Sequence, residues 1–194
     1  DEKRINYYLG EGSLSTTEPE AAGHKDETTV VYGAAAPATA ANKGLVYETA
    51  PLSADVEVTG HPTINLWVSS TATDGDFIAA IQDIGPDGSV TSYNVHGQLR
   101  ASLRKLQEAP YDNLGLPWHG FHEADVTPLT PGKPVELEFE LLPISMVFKA
   151  GHRIRLLITF ADMATPRLDP APRVTVYRDS SHKSYLTLPV IEAP

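Results

Sequence analysis

Hydrophobic and polar residues alternate along most of the chain from residue 45 onward, which is the pattern of β-strands with one buried face. In segment 63–70, Ile64, Leu66 and Val68 share one face, and polar residues with Trp67 occupy the other. Segment 76–84 is apolar on both faces, as in a central strand that is covered on both sides. The patterns predict strands over residues 5–9, 45–49, 55–59, 63–70, 76–84, 89–95, 98–102, 135–141, 152–160, 173–177 and 184–188.

Turn residues separate these predicted strands throughout the chain. The sequence holds 16 prolines and 14 glycines, and Gly-Pro-Asp-Gly at 85–88 is a strong hairpin signal. The single helical segment predicted is 101–109, which ends before Pro110. We therefore expect an all-β fold, a jelly-roll β-sandwich of two packed antiparallel sheets. It forms one domain, 1–194, with an irregular N-terminal segment, 1–44, and a sandwich body, 45–194.

Two predicted strands carry opposite charges on their polar faces. Segment 135–141 places Glu136, Glu138 and Glu140 outward, and segment 152–160 places Arg153 and Arg155 outward. If these strands were neighbours, their cross-strand pairs would add about 0.2–1 kcal/mol each.

One long stretch, 103–132, shows no regular alternation but is rich in apolar side chains. Long irregular loops inside compact domains are uncommon and are usually functional or interfacial. The large side chains of this loop need cover, either from its own sheet or from a partner. We therefore predict a contact surface at Tyr111, Trp118, His119, Phe121 and His122.

Composition narrows the classes of function. The absence of cysteine excludes disulfides and thiolate chemistry, is compatible with a cytoplasmic location and leaves export open. The formal net charge of −10 argues against nucleic acid as a partner. No apolar run is long enough for a membrane helix, so no membrane contact is expected. The chain does not begin with methionine, as in a piece of a longer protein.

Chemical motifs are sparse, and we predict no catalytic residue, no metal and no cofactor. Ser-x-x-Lys occurs at Ser102–Lys105 and at Ser180–Lys183, but without the buried helix and further motifs that enzymes of this type need. His119-x-x-His122 offers two imidazoles, but a catalytic zinc site needs a third protein ligand, and no residue nearby has the spacing of a known zinc motif.

Several motifs in a fixed order resemble one known family, the C-terminal domain of X-Pro dipeptidyl-peptidases and cocaine-esterase-type serine hydrolases. The matching stretches are Leu45-x-Tyr47-x-Thr49-x-Pro51-Leu52, Leu66-Trp67-Val68-Ser69-Ser70-Thr71, Asp74-Gly75-Asp76-Phe77, Gly97-x-Leu99-Arg100-Ala101-Ser102-x-Arg104 and Phe148-x-Ala150-Gly151-His152-Arg153-Ile154-Arg155-Leu156.

The resemblance implies a galactose-binding-like jelly roll that follows an α/β-hydrolase domain with a Ser-Asp-His triad and a helical cap. The triad lies upstream of this domain in the family, so no position here inherits a catalytic role. Leu103 stands where family members often carry histidine. The implied partner is the hydrolase domain of the same polypeptide, which would hydrolyse an acyl ester or an X-Pro peptide. The resemblance implies that this domain packs on the hydrolase domain and helps to shape its substrate entrance, for which the contact surface on the 103–132 loop is the candidate. A homo-oligomer is also implied as a partner.

Two other functions stay open. A stand-alone carbohydrate-binding module would use Trp67 or Trp118 to stack on a sugar ring, although large aromatics are more often packed under a loop. An independent enzyme would use Ser102 with Lys105.

Overall fold

The computed structural model describes residues 2–33 and 44–191. These residues form thirteen strands: β1 (Glu2–Leu9), β2 (Leu14–Ser15), β3 (Lys25–Thr29), β4 (Leu45–Glu48), β5 (Val56–Gly60), β6 (Thr63–Ser70), β7 (Asp76–Ile84), β8 (Val90–Arg100), β9 (Val135–Glu140), β10 (Ile144–Phe148), β11 (Arg153–Thr159), β12 (Arg173–Tyr177) and β13 (Tyr185–Ile191).

The strands make two antiparallel sheets. The larger sheet has the order β10-β5-β13-β6-β12-β3, with β1 on β13, β2 on β1 and β9 on β6. The smaller sheet has the order β4-β11-β7-β8. The inward side chains of both sheets are fully buried in one hydrophobic core, for example Leu66 and Leu137 from the larger sheet and Ile81 and Leu156 from the smaller. The predicted all-β sandwich of two antiparallel sheets is confirmed.

The hydrophobic pattern located the central strands well and also found the edge strands β4 and β9, but it missed three other strands at sheet edges. The predicted bounds of β6, β7 and β12 are those observed, and β7 lies between β11 and β8 as a largely buried central strand. β3 was not predicted because its sequence, Lys-Asp-Glu-Thr-Thr, contains no apolar residue. It is nevertheless a strand because its backbone pairs with β12 over five residues. β2 and β10 were also missed.

The predicted helix at 101–109 is wrong. Only one 3₁₀ turn, Ala101–Leu103, forms there, and no α-helix occurs in residues 2–33 and 44–191. The backbone groups bond elsewhere: Ser102 O accepts from Thr127 N at 2.7 Å, and Gln107 N donates to Trp118 O at 2.9 Å. Tertiary hydrogen bonds override the weak local helix signal.

The strands that carry the glutamate row and the arginine row are not neighbours, so the conditional cross-strand pairs do not form. β9 pairs with β6 in the larger sheet, whereas β11 pairs with β4 and β7 in the smaller one. Arg155 instead pairs with Glu48 of β4 at 2.7 Å. Glu136 accepts a hydrogen bond from Asn65 at 2.8 Å.

The N-terminal segment is more regular than predicted. β1, β2 and β3 lie within residues 2–33, and β1 pairs with β13 over seven residues. Residues 34–43 of the predicted irregular segment lie outside the described residues.

A polar cluster links the two sheets beneath β3. Tyr47 of β4 is almost fully buried, and its hydroxyl donates to Asp26 of β3 at 2.8 Å. Arg178, just after β12, donates to both oxygens of the same carboxylate, at 2.8 and 3.2 Å. Burial and the neighbouring carboxylate raise the pKa of Tyr47 well above its ordinary value, so the phenol stays protonated and donates.

The two sheets also meet along one side, where the chain leaves β8 for the long loop. Leu142 N donates to His96 O of β8 at 2.9 Å. Gly97 lies so close to β9 that a Cβ there would be 2.2 Å from Glu140 O. This contact joins the edge strands β8 and β9 beside the predicted contact surface.

Candidate docking surface

The docking loop, residues 104–126, begins from a rigid base. Ser102 is buried, and both its backbone N and its hydroxyl donate to the Asp74 carboxylate, at 2.9 and 2.7 Å. Asp74 also accepts from Gly75 N at 2.9 Å. Since the carboxylate fixes two chain segments with three hydrogen bonds, the start of the loop is held firmly to the end of the sandwich.

His119 fastens the middle of the loop to the larger sheet. The ring is only 6% exposed, with Nε2 2.8 Å from Glu138 O and Nδ1 3.2 Å from Lys105 O. Glu138 belongs to β9, whose other side pairs with β6, so the imidazole satisfies the free edge of β9. A carbonyl oxygen only accepts, and the ring therefore donates to one carbonyl when neutral and to both when protonated.

An ion pair closes the loop between its two ends. Lys105 Nζ lies 2.7 Å from Asp125 Oδ1, and Asp125 is itself buried in the 3₁₀ turn Glu123–Asp125. The hydrogen bond from the Lys105 ammonium holds the pKa of the Asp125 carboxyl below its usual range. These hydrogen bonds and the ion pair therefore hold the loop in a defined fold.

This folded loop leaves several large apolar side chains in solvent. Leu114 is 73% exposed and Phe121 is 60% exposed, and both have positive backbone φ, 60° and 53°. Such conformations are unfavourable for bulky residues and persist only where the surroundings hold them. The exposed apolar residues of the loop are Leu106, Tyr111, Leu114, Phe121 and Val126.

The five residues predicted for this surface fall into two groups. Tyr111 packs its ring edge-on against Trp118 at 5.2 Å, and Phe121 lies 5.7 Å from the His119 ring. Trp118 is half-buried and His119 buried, so these two support the loop from beneath. Tyr111, Phe121 and His122 are exposed and face outward.

The residues of the other motifs make structural hydrogen bonds and ion pairs. Ser102 is held by Asp74 and Lys105 by Asp125, so neither is aimed at the other as nucleophile and base. In the second Ser-x-x-Lys motif, Lys183 pairs with Glu18. Within the described ranges, no three His, Cys, Asp or Glu side chains are grouped to hold a metal ion.

Trp67 lies on the outer face of the larger sheet and is partly covered. The His182 ring meets it edge-on at 4.9 Å, and Tyr177, which lies opposite Trp67 on the neighbouring strand β12, is 5.2 Å from the same ring. Trp118 lines a different place, a groove of about 520 Å³ between the docking loop and the joined edges of β8 and β9. The two tryptophans therefore do not share one groove.

The loop that covers Trp67 gives a pH-dependent prediction. Burial raises the pKa of Asp179, but the backbone N–H groups of His182, Ser181 and Gly23 outweigh this effect, and the pKa lies below its ordinary value. The carboxylate therefore stabilises the fold fully above its unfolded pKa of about 3.9, and this contribution is lost as the pH falls through the lower, folded pKa. We expect Asp179→Asn to lower the urea midpoint at pH 7, and the difference from wild type to shrink below about pH 4. Urea unfolding from pH 7 to pH 2.5 measures both, and a difference that grows on acidification contradicts the assignment.

Sequence reasoning missed a second exposed apolar loop, residues 161–172, at the same end of the sandwich. Met163 is 84% exposed, and Leu168 is also exposed. The sequence carried a signal for a loop here, since three prolines lie between β11 and β12. A shallow cavity bounded by both Phe121 and Ala164 connects this loop with the docking loop.

In the part of the chain that the structure describes, no helix has the length and apolar character needed to cross a membrane.

Comparisons with known proteins agree with this architecture. The family model described as X-Pro dipeptidyl-peptidase C-terminal non-catalytic domain matches residues 2–186. A protein of Mycobacterium bovis that is named as a serine esterase is 43% identical over 154 residues, covering 77% of this chain and 24% of that protein. Cocaine esterase of a Rhodococcus species is 28% identical over 163 residues, covering 76% of this chain and 25% of the esterase.

Solved structures show the same fold. A CocE/NonD family hydrolase from Staphylococcus aureus superposes with a TM-score of 0.81 at 20% identity, over 98% of this chain and 37% of the hydrolase. An aminopeptidase from a Thaumarchaeota archaeon gives a TM-score of 0.77 at 20% identity, over 98% of this chain and 37% of that one. The chain therefore spans about a quarter of the length of its curated relatives and over a third of these solved chains.

Proposed function

Because the chain belongs to the family of X-Pro dipeptidyl-peptidase C-terminal non-catalytic domains, we propose that it is the non-catalytic domain of a serine hydrolase. In this role it packs on the α/β-hydrolase domain of the same polypeptide and shapes the substrate entrance. The parent hydrolyses an ester by acyl transfer, as the names of the matching esterases suggest, and hydrolysis of an X-Pro peptide is the alternative.

One observation carries the proposal: a loop held in place by hydrogen bonds and an ion pair presents large apolar side chains to solvent. A loop that needed no partner would turn Leu114 and Phe121 inward, because burying each is worth about 1.5–3 kcal/mol. The bonds from Asp74, His119 and Lys105 instead fix the loop with these side chains outward. A preformed surface loses little conformational freedom on binding, which favours a stable contact between domains.

The docking surface can be tested by the double substitution Leu114→Ser with Phe121→Ser in the full-length parent. Both side chains are exposed here, so we expect the Tm of the isolated domain to change by less than about 2 °C. Losing roughly 1.4 kcal/mol of docking energy changes the ratio of docked to undocked domain about tenfold. In the parent we therefore expect the Tm to fall and the esterase kcat/KM to drop about tenfold. Calorimetry and steady-state hydrolysis of an ester measure the two effects.

The matched control is Val90→Ser with Tyr93→Ser, which removes two exposed apolar side chains from β8 outside the docking loop. This variant is expected to leave the activity of the parent unchanged. Equal losses from both double variants would show that the docking loop has no special role.

The assignment as a non-catalytic domain is tested with a fluorophosphonate probe, which labels activated serines. We expect labelling of the full-length parent and none of this chain. Labelling of the isolated chain that is lost in Ser102→Ala would overturn the proposal and revive the independent enzyme.

A carbohydrate-binding module is the second candidate, and the groove that Trp118 lines favours it. Phe121, His61 and His96 also line this groove, so aromatic rings and hydrogen-bonding groups lie together, as in sugar sites. Calorimetric titration with neutral mono- and oligosaccharides tests it. If Trp118→Ala abolishes sugar binding and Trp67→Ala preserves it, the result supports this function over docking. The formation of a homo-oligomer stays a separate prediction.

A further inference from the structure

A second cavity lies between the two sheets, at the end of the sandwich where β6 and β11 end and β7 and β12 begin. We name it the end cavity. Its volume is about 140 Å³. Its walls are mainly apolar, and they are formed chiefly by Tyr32, Phe77, Phe160, Leu168, Pro172 and Val174.

Aromatic contacts and a hydrogen bond hold the walls of the end cavity. Phe77 and Phe160 are buried and meet edge-to-face, with ring centroids 5.6 Å apart and planes at 88°. The Tyr32 hydroxyl accepts a hydrogen bond from Leu168 N at 3.1 Å, and the Arg167 guanidinium lies 5.7 Å from the centre of the Tyr32 ring. The cavity is therefore preformed, and filling it demands little rearrangement.

The charged groups at the mouth of the cavity are already paired. Arg100 donates to both oxygens of Asp76, at 2.9 and 3.3 Å. The Asp74 carboxylate accepts two hydrogen bonds from Ser102 and one from Gly75 N. A charged ligand would have to lose its hydration and also compete with these existing partners, and this cost disfavours its binding.

We propose that the end cavity is a binding site for a small, uncharged aromatic molecule of the size of benzene or toluene. An engineered apolar cavity of about 150 Å³ takes up benzene, so the volume of the end cavity matches such a ring. Faces and edges of the phenylalanine rings offer the contacts that aromatic pairs prefer. The site belongs to this chain alone, and it stands whether or not the docking loop meets a hydrolase domain.

Toluene is the probe that tests the site on this chain. We expect saturable binding by calorimetric titration, and a rise in Tm of about 3 °C at ten times the measured Kd. Benzoate has a similar ring with a carboxylate, and we expect it to bind at least tenfold more weakly. Toluene that causes no Tm shift up to its solubility limit, or benzoate that binds equally well, would overturn the proposal.

The location of binding is tested with Val174→Phe, which fills the end cavity from its wall. We expect this variant to lose toluene binding, whereas Val147→Phe on β10, outside the cavity, retains it. Equal binding by both variants rejects the site. Should Val174→Phe fail to fold, nuclear Overhauser effects from toluene in the wild-type chain decide: contacts to the methyls of Val30, Leu168 and Val174 support the site, and contacts elsewhere reject it.

Discussion

We expect replacement of Gly97 by alanine to destabilise the domain by about 3 kcal/mol or more. A Cβ at this position would lie 2.2 Å from Glu140 O, 3.0 Å from Glu140 C and 3.1 Å from Leu141 Cα. These are backbone atoms, so no side chain can turn away, and the joined edges of β8 and β9 must separate. Overpacking usually costs 1–3 kcal/mol, and a clash with backbone lies at the upper end of this range. Urea unfolding of the wild type and Gly97→Ala measures the loss.

Gly75→Ala is the matched control for this prediction. A Cβ there would meet only one atom within 4 Å, Phe77 Cε2 at 3.8 Å, which is an ordinary contact. The control should change the free energy of unfolding by less than about 1 kcal/mol. Similar losses in both variants would mean that the edges of β8 and β9 are not in close contact.

The second large effect is expected from Asp26→Ala, which should cost about 3 kcal/mol. The carboxylate accepts hydrogen bonds from the buried Tyr47 hydroxyl and from two nitrogens of Arg178. Removing it leaves a phenol and a mostly buried guanidinium, 11% exposed, without their acceptor. Breaking a buried ion pair by deleting one partner typically costs 3–5 kcal/mol because the other charge stays uncompensated. Chemical unfolding at pH 7 gives the value.

The neighbouring Glu27→Ala serves as its control. Glu27 lies on the same strand and pairs with Lys25 at 2.9 Å, but both side chains are exposed. Exposed ion pairs contribute little to stability, so the control should leave the unfolding midpoint nearly unchanged. Equal effects at positions 26 and 27 would show that the cluster beneath β3 does not link the sheets.

The sequence predicted the sandwich because burial on one face imposes a period of two on a strand, as in β6, and cover on both faces leaves a continuous apolar run, as in β7. The predicted bounds of both strands are those observed. The same logic fails at the edges, because β3 is held by backbone pairing with β12 and buries almost nothing. It fails again at 101–109, where hydrogen bonds to residues far along the chain decide the conformation.

The candidate surface was only half predictable. Apolar content without alternation indicated a contact loop at 103–132, and its exposed side chains agree with that hypothesis. The buried role of His119 was not predictable, because it depends on Glu138 O at the free edge of β9. The end cavity was equally hidden, since Tyr32, Phe77 and Leu168 come from three distant segments.

Hydrogen exchange on the docking loop tests the central claim most directly. Exchange is measured by mass spectrometry on this chain and on the full-length parent, for peptides that cover residues 108–122 and, as a reference, the 85–89 turn. Docking on the hydrolase domain should slow exchange in the loop about tenfold or more in the parent and leave the turn unchanged. Equal exchange of the loop in both proteins would contradict the docking role.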